Sequence, residues 1–197
     1  MKTFSEEYEQ EMISYNESRS KKSFSHQYRE AYGLIEDFID DDCKTFIDYG
    51  CGEGAAADYF NEKNDWNVVK YDPFKTEYRD ISLEPVDCVF SIDVLEHVEI
   101  AMVGSFIEAV NDLSSKQFVH CIDLWPAKKT LSDGRNAHIT LLKPDDWKNL
   151  FETICSKDFD LEFDVKDNPE DLVSKRSYMK EHMPYPSRIL IKGKRKQ

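Results

Sequence analysis

No apolar stretch in this sequence approaches the roughly 20 residues that a helix needs to cross a bilayer, and its first ten residues are acidic, unlike a signal peptide. The expected setting is the cytoplasm, with no membrane partner. Cysteine is sparse and scattered: Cys43, Cys51, Cys88, Cys121 and Cys155 form an odd set with no C-x-x-C pair. This excludes a disulfide scaffold and a cysteine-bound zinc cluster, and leaves reduced thiols. Positive charge is also short, with 26 Lys and Arg against 39 Asp and Glu and a net charge of -13. Such a field repels a phosphate backbone at long range, so nucleic acid is disfavoured as a partner. The basic run Lys192, Lys194, Arg195 and Lys196 reads as a solvated tail. Glycine and proline number seven each; they form no linker, and no internal repeat or low-complexity segment divides the chain.

What is present is enough apolar surface for one domain: 197 residues, 40% hydrophobic and 13% aromatic. Residues 1–41 are expected to be an N-terminal helical segment packing on a core that spans 42–197. From Ser23 to Asp41, Phe24, Tyr28, Tyr32, Ile35, Phe38 and Ile39 recur at helical steps. Met1 to Lys22 is polar with scattered aromatics, Phe4, Tyr8 and Tyr15. After Asp42, short apolar runs alternate with helical stripes, the order of a parallel sheet covered by helices. The expected strands are Thr45–Tyr49, Asn67–Tyr71, Val86–Ile92, Gln117–Leu124, Leu161–Val165 and Arg188–Ile191, with a weaker one at Tyr78–Ile81. Helical stripes run from Ile100 to Leu113 and, behind Pro144, from Trp147 to Ile154. Two long connections, Trp125 to Lys143 and Asn168 to Ser187, are where substrate contacts are expected.

The sharpest signal is Asp48-Tyr49-Gly50-Cys51-Gly52-Glu53-Gly54, an apolar strand running into alternate glycines and then Ala55-Ala56-Ala57. Glycines there permit a tight turn and the close approach of a ligand, and the free N–H groups of the helix start suit an electron-rich group. Gly50, Gly52 and Ala55 also satisfy the dinucleotide spacing, so a nicotinamide-dependent oxidoreductase remains open on the glycines alone. Asp48 favours another ligand, because a carboxylate two residues before the first glycine suits an ammonium and a sulfonium rather than phosphates. Asp72, followed by Pro73, ends the second strand, where a carboxylate can accept ribose hydroxyls. Asp80 and Ile81 could set a carboxylate by an adenine amino group and an apolar face against the ring.

The run D-x-G-C-G-x-G at Asp48–Gly54, Tyr71-Asp72, Asp80 and then D-V-L-E-H-V at Asp93–Val98, in that order and spacing, resembles the class I S-adenosylmethionine-dependent methyltransferases. The likeness covers roughly Asp42 to Phe159. It implies an α/β, Rossmann-like three-layer sandwich. The implied sheet is mostly parallel, with seven strands ordered 3-2-1-4-5-7-6, the seventh antiparallel, and helices on both faces. It implies S-adenosyl-L-methionine as cofactor and S-adenosyl-L-homocysteine as product, with Gly50, Cys51 and Gly52 along the methionine moiety. Asp72 and Pro73 would then flank the ribose, Asp80 and Ile81 would hold adenine, and Asp93 would lie at the cofactor end of the fourth strand. One departure stands out: only Pro73 to Glu77 separate the second strand from the third, too short for the family's usual helix.

Methyl transfer needs alignment and exclusion of water more than a nucleophile. A hydroxyl or protonated amine acceptor also needs a base, and His97 and His138 are the candidates by position, ahead of His26, His120 and His182. The segment Pro126 to His138 concentrates charged, amide and imidazole groups, so Trp125, Arg135 and Asn136 are assigned to the acceptor. Asp93, Glu96 and His97 offer metal-type donors, but no second cluster completes a coordination sphere, so no metal is expected. Ser91-Ile92-Asp93-Val94 stands where methyltransferases of exocyclic base amines carry Asn/Asp-Pro-Pro-aromatic. The leading expectation is O- or N-methylation of a small or medium-sized metabolite. The alternatives are a nucleic-acid or protein acceptor and an inactive cofactor-binding module.

Overall fold

The computed structural model describes residues 4–17, 29–166 and 186–197. Three apolar runs form the parallel half of the sheet where the sequence places them: β1 (Thr45–Tyr49), β2 (Asn67–Tyr71) and β3 (Val86–Ile92). β4 (Ser114–Asp123) continues it in parallel beside β3, while β6 (Arg188–Arg195) enters antiparallel between β4 and β5 (Phe159–Lys166). The resulting order is β2-β1-β3-β4-β6-β5.

Alternation along the strands divides the core into two layers. Ile47, Val89, Phe118, Ile122, Ile189 and Ile191 face α5 (Ile100–Leu113) and α6 (Pro144–Cys155), which bury Val103, Phe106, Ile107, Val110, Trp147 and Phe151 against them. Their neighbours Phe46, Val68, Cys88, Phe90, Val119, Cys121 and Leu190 face the other way. They meet α2 (Arg29–Phe38) and α3 (Ala55–Lys63) through Tyr32, Ile35, Ala57 and Phe60. Each large side chain so buried contributes about 1.5–3 kcal/mol. The three-layer α/β architecture expected from the sequence is thus the one found.

Two expectations change. No strand forms at Tyr78–Ile81; Thr76–Arg79 is instead a single helical turn, α4, closed by the Arg79 N–H on the Lys75 carbonyl at 2.9 Å. The reason is compositional: Lys75-Thr76-Glu77-Tyr78-Arg79-Asp80 offers one apolar side chain to a sheet face, so local hydrogen bonds satisfy its backbone better than a ladder would. The sheet of the described residues therefore has six strands rather than seven, in the order that remains when strand three is struck from 3-2-1-4-5-7-6. The C-terminal basic run is likewise no solvated tail. β6 carries it to Arg195, with Lys192 and Lys194 on Asp40 at 2.6 and 2.7 Å and Arg195 on the carbonyls of Ser114 and Asn111.

The described part of the Ser23–Asp41 helix is α2, and the long connection after Asn168 falls almost wholly outside the described residues. α1 (Glu6–Glu17) rests on loops rather than on the sheet: Tyr8 and Met12 pack with Phe4, Phe74, Leu131 and Ala137. Among the described residues no helix is long and apolar enough to cross a membrane, and all five cysteines are free thiols.

Two glycines test the packing in opposite directions. A Cβ at Gly193, paired with Phe118 across β4 and β6, would stand 2.3 Å from that ring. A Cβ at Gly104 in α5 would meet nothing nearer than Ile154 Cδ1 at 3.9 Å. Gly193→Ala is expected to lower unfolding free energy in urea by about 1–3 kcal/mol. Gly104→Ala is expected to raise it by about 0.5–1 kcal/mol.

Candidate functional site

The loop between β1 and α3 is built on left-handed backbone at Gly50, Gly52 and Gly54, with φ of 89°, 54° and 75°. At Gly50 a Cβ would lie 2.7 Å from Val94 Cγ2, so only glycine lets the loop pass beneath the end of β3. At Gly52 nothing stands within 4 Å of that position, which leaves an open cradle on the loop. The loop is stitched to the end of β2: the N–H groups of Gly50 and Cys51 both donate to the Tyr71 carbonyl, at 2.7 and 3.0 Å. The Gly52 N–H donates to Asp72 Oδ2 at 2.8 Å.

Two carboxylates flank the loop. Asp48 is 2% exposed; it accepts the Ala57 N–H at the start of α3, while its Oδ2 has no hydrogen-bond partner. Burial, reinforced by the charge of Asp72, pushes its pKa up to about 7 against the pull of the Ala57 N–H and Lys70. Asp72 is also buried, and burial raises its pKa although the N–H groups of Phe74 and Gly52 each hold one of its oxygens at 2.8 Å. Each oxygen keeps a second lone pair for a further donor. Cys51 is half-buried, and its thiol is driven far up by desolvation and by both carboxylates, so it is not a nucleophile here. Pro73 is half-buried beside Asp72, whereas Asp80 and Ile81 lie exposed at the end of α4, with Asp80 beside Arg79 at 3.5 Å.

Across from this loop, the chain leaves β3 through Asp93, a non-glycine residue at φ 54°. Its carboxylate is taken by Arg188 at the start of β6, with Nη2 3.3 Å from Oδ2 and Nη1 on Oδ1. A short 3-10 turn, Leu95–His97, follows. Within it Glu96 is fully buried; its Oε1 accepts the Asp123 N–H at 3.2 Å and its Oε2 has no hydrogen-bond partner. Burial and the charges of Asp93 and Asp123 hold its pKa well above the usual carboxylate range. His97 Nδ1 lies 2.8 Å from the Ala137 carbonyl, and His138 Nδ1 rests on the Trp125 carbonyl. A carbonyl only accepts, so each Nδ1 carries a proton, and of the two neutral tautomers this geometry selects the one with its lone pair on Nε2. The rings meet edge to face, 4.7 Å between centroids.

The connection after β4 is held largely by its own hydrogen bonds. The Asn136 amide accepts the N–H groups of Ala127 and His138 and donates to the Ala127 carbonyl, all at 2.9 Å, so it fixes the loop that carries His138. Trp125 is buried and supplies the carbonyl that orients His138. Arg135 is half-exposed and turned onto Asp133, 2.6 Å away. His120 lies in the core, bonded to Ser91 Oγ at 2.7 Å, with its pKa lowered by burial to about 3. His26 and His182 lie outside the described residues.

Sequence reasoning misses two participants. Arg188 reads from the sequence only as the first residue of a strand. The other is α1 with the residue before it: Tyr8 donates its hydroxyl to the His97 carbonyl, Ser5 donates to Glu99, and Glu11 accepts from Ser132 Oγ at 2.7 Å. The four-residue spacing of Phe4, Tyr8 and Met12 is the signal that marks the packed face of α1.

Asp48 predicts a pH effect of definite sign. In the folded chain its pKa is raised to about 7 from 3.8, so the stability it permits at low pH is lost as pH rises through about 7. Relative to the parent, Asp48→Asn should gain about 2–4 kcal/mol of unfolding free energy between pH 4 and pH 8 in cofactor-free protein. A difference that stays flat across that interval would contradict a buried, unpaired Asp48.

A family model described as a methyltransferase domain matches residues 23–188. Curated proteins yield no significant sequence match. Among solved structures, the 1,6-didemethyltoxoflavin-N1-methyltransferase of Burkholderia thailandensis superimposes with a TM-score of 0.66 at 13% identity, over 97% of this chain and 90% of that one. A DhpI complex with S-adenosylhomocysteine gives 0.64 at 16% identity, over 97% and 98%. The small RNA methyltransferase HEN1 gives 0.62 at 14% identity over 91% of this chain, which spans only 26% of that protein. With a family model across most of its length and the glycine loop and acidic flanks in place, the chain belongs to the class I S-adenosylmethionine-dependent methyltransferases.

Proposed function

We propose that this methyltransferase acts on an oxygen or nitrogen of a small or medium-sized metabolite in the cytoplasm. The observation that carries this reading is the oriented imidazole pair, His97 and His138, at the carboxyl edge of the sheet beside the glycine loop. Open ligand crevices of parallel α/β sheets lie at that edge.

The chain fits the cofactor on two counts: the open cradle at Gly52 and the unpartnered Oδ2 of Asp48. Bound there, S-adenosylmethionine supplies an electrophilic methyl group on a sulfonium. Asp48, Gly50, Cys51 and Gly52 would hold its methionine end and Asp72 with Pro73 its ribose. Asp93, engaged by Arg188, would lie at the cofactor end of β3. Asp80 and Ile81, exposed just after α4, would set a carboxylate and an apolar face beside adenine. On the acceptor side, the Nε2 atoms of His97 and His138 would accept the acceptor's polar hydrogen, and Trp125 and Asn136 hold His138 in position. α1 closes over this edge through Tyr8 and Phe74, which limits water. The basic side chains of β6 are spent on Asp40 and on main-chain carbonyls, which argues against a phosphate-backbone acceptor.

The test is incubation with methyl-labelled cofactor and size-fractionated cell extract. Label in the low-mass fraction is expected, with transfer lowered about 100-fold or more in His138→Ala while S-adenosylhomocysteine affinity changes little. Label confined to an RNA or protein fraction would refute the acceptor class. Unchanged transfer by His138→Ala would refute the role of the imidazole pair.

A further inference from the structure

The acceptor edge holds more than an acid–base pair requires. Glu96, His97 and His138 each place one donor atom within 4.8 Å of the other two. They converge from two segments, the 3-10 turn after β3 and the connection after β4, although 40 residues separate His97 from Ala137, the residue whose carbonyl orients its ring. Donors on a shared ion stand roughly 3–4 Å apart, so small side-chain rotations bring these three onto one centre.

The surroundings are those of ligating side chains. Each imidazole gives its Nδ1–H to a main-chain carbonyl, of Ala137 and of Trp125, which fixes Nε2 as the lone-pair nitrogen and sets the ring plane. The loop bearing His138 is pinned by the Asn136 amide on three hydrogen bonds. Glu96 is 0% exposed, and while Oε1 takes the Asp123 N–H, Oε2 is buried without a hydrogen-bond partner. An interior carboxylate oxygen so placed calls for a proton or a cation. Asp93, which by sequence stood nearest to such a set, is instead occupied by Arg188. His138, remote in sequence, takes its place.

We propose that Glu96, His97 and His138 form a site for a divalent first-row transition cation in the range Mn²⁺ to Zn²⁺. Two imidazoles and one carboxylate select such ions over Ca²⁺ and Mg²⁺, which prefer oxygen alone. Three protein donors leave coordination positions open, and these take water or an oxygen of the methyl acceptor. With the ion in place, Nε2 of both imidazoles would be its ligands rather than proton acceptors; the ion would acidify a bound acceptor hydroxyl, whose proton passes to solvent water while its oxygen takes the methyl group and the sulfonium leaves as thioether. The inference extends the proposed acceptor side, yet its test does not depend on methyl transfer.

The experiment uses the full chain, stripped with chelator and titrated with Co²⁺ as the probe, read by visible absorption and by calorimetry, with Zn²⁺ and Mg²⁺ in parallel. One Co²⁺ per chain with d–d bands is expected, displaced by Zn²⁺ and not by equimolar Mg²⁺. Glu96→Gln and His138→Gln should each weaken Co²⁺ binding tenfold or more. His138→Gln keeps a donor for the Trp125 carbonyl, so it reports on ligation even where Glu96→Gln fails to fold; far-UV circular dichroism checks both. No saturable Co²⁺ uptake by the parent chain, or uptake unchanged in His138→Gln, would overturn the site. A parent chain that binds the ion yet methylates nothing would leave the site standing and refute only the proposed acceptor class.

Discussion

The Gly52 N–H on the Asp72 carboxylate, at 2.8 Å, is the contact around which the site is organised. It ties the left-handed turn after β1 to the end of β2, and the paired donation of Gly50 and Cys51 to the Tyr71 carbonyl completes the seam. Held this way, the loop cannot collapse into the space that the missing Cβ of Gly52 leaves open. The same arrangement confines two carboxylates, Asp48 and Asp72, to the interior on either side of one bend, and burial raises the pKa of both. Charge on both is thereby disfavoured until a ligand with cationic and hydroxyl groups offsets it.

A second constraint binds the opposite edge. Arg188 bridges the start of β6 to Asp93 at the end of β3, across β4, and so fixes the strained departure of the chain toward Glu96 and His97. The antiparallel insertion of β6 thus positions the site as well as completing the sheet. α1 adds a third wall through Tyr8, Ser5 and Glu11. The glycine loop, the Leu95–His97 turn and α1 come from separate parts of the chain, the first two at the carboxyl ends of β1 and β3 and α1 tied to the turn through Tyr8.

Much of this was legible in the letters. β1, β2 and β3 begin and end where their apolar runs do; β1 and β3, central and covered on both faces, leave a near-continuous signal, while β2 at the edge of the described sheet shows its strand through Val68, Val69 and Tyr71. The glycine loop was legible because positive φ and close approach leave few other residues available. The segment at Tyr78–Ile81 misled because a short polar stretch carries no period, and local hydrogen bonding decided for a helical turn. What the letters do not show is how Asn136 and Arg135 are held: the Asn136 amide bonds within its own loop and the Arg135 guanidinium pairs with Asp133. The meeting of Glu96, His97 and His138 was hidden for a different reason. It joins segments remote in sequence, and only the register of β3 on β4 brings them together.

On the reading proposed above, the bend at Gly50–Gly54 receives the cofactor between Asp48 and Asp72. The most direct measurement is a crystal structure of the chain grown with S-adenosylhomocysteine. The account predicts the ligand against Gly52, with its ribose hydroxyls on Asp72 and its amino acid end toward Asp48. Density for the ligand elsewhere, or a loop filled by the chain's own side chains at saturating ligand, would contradict it.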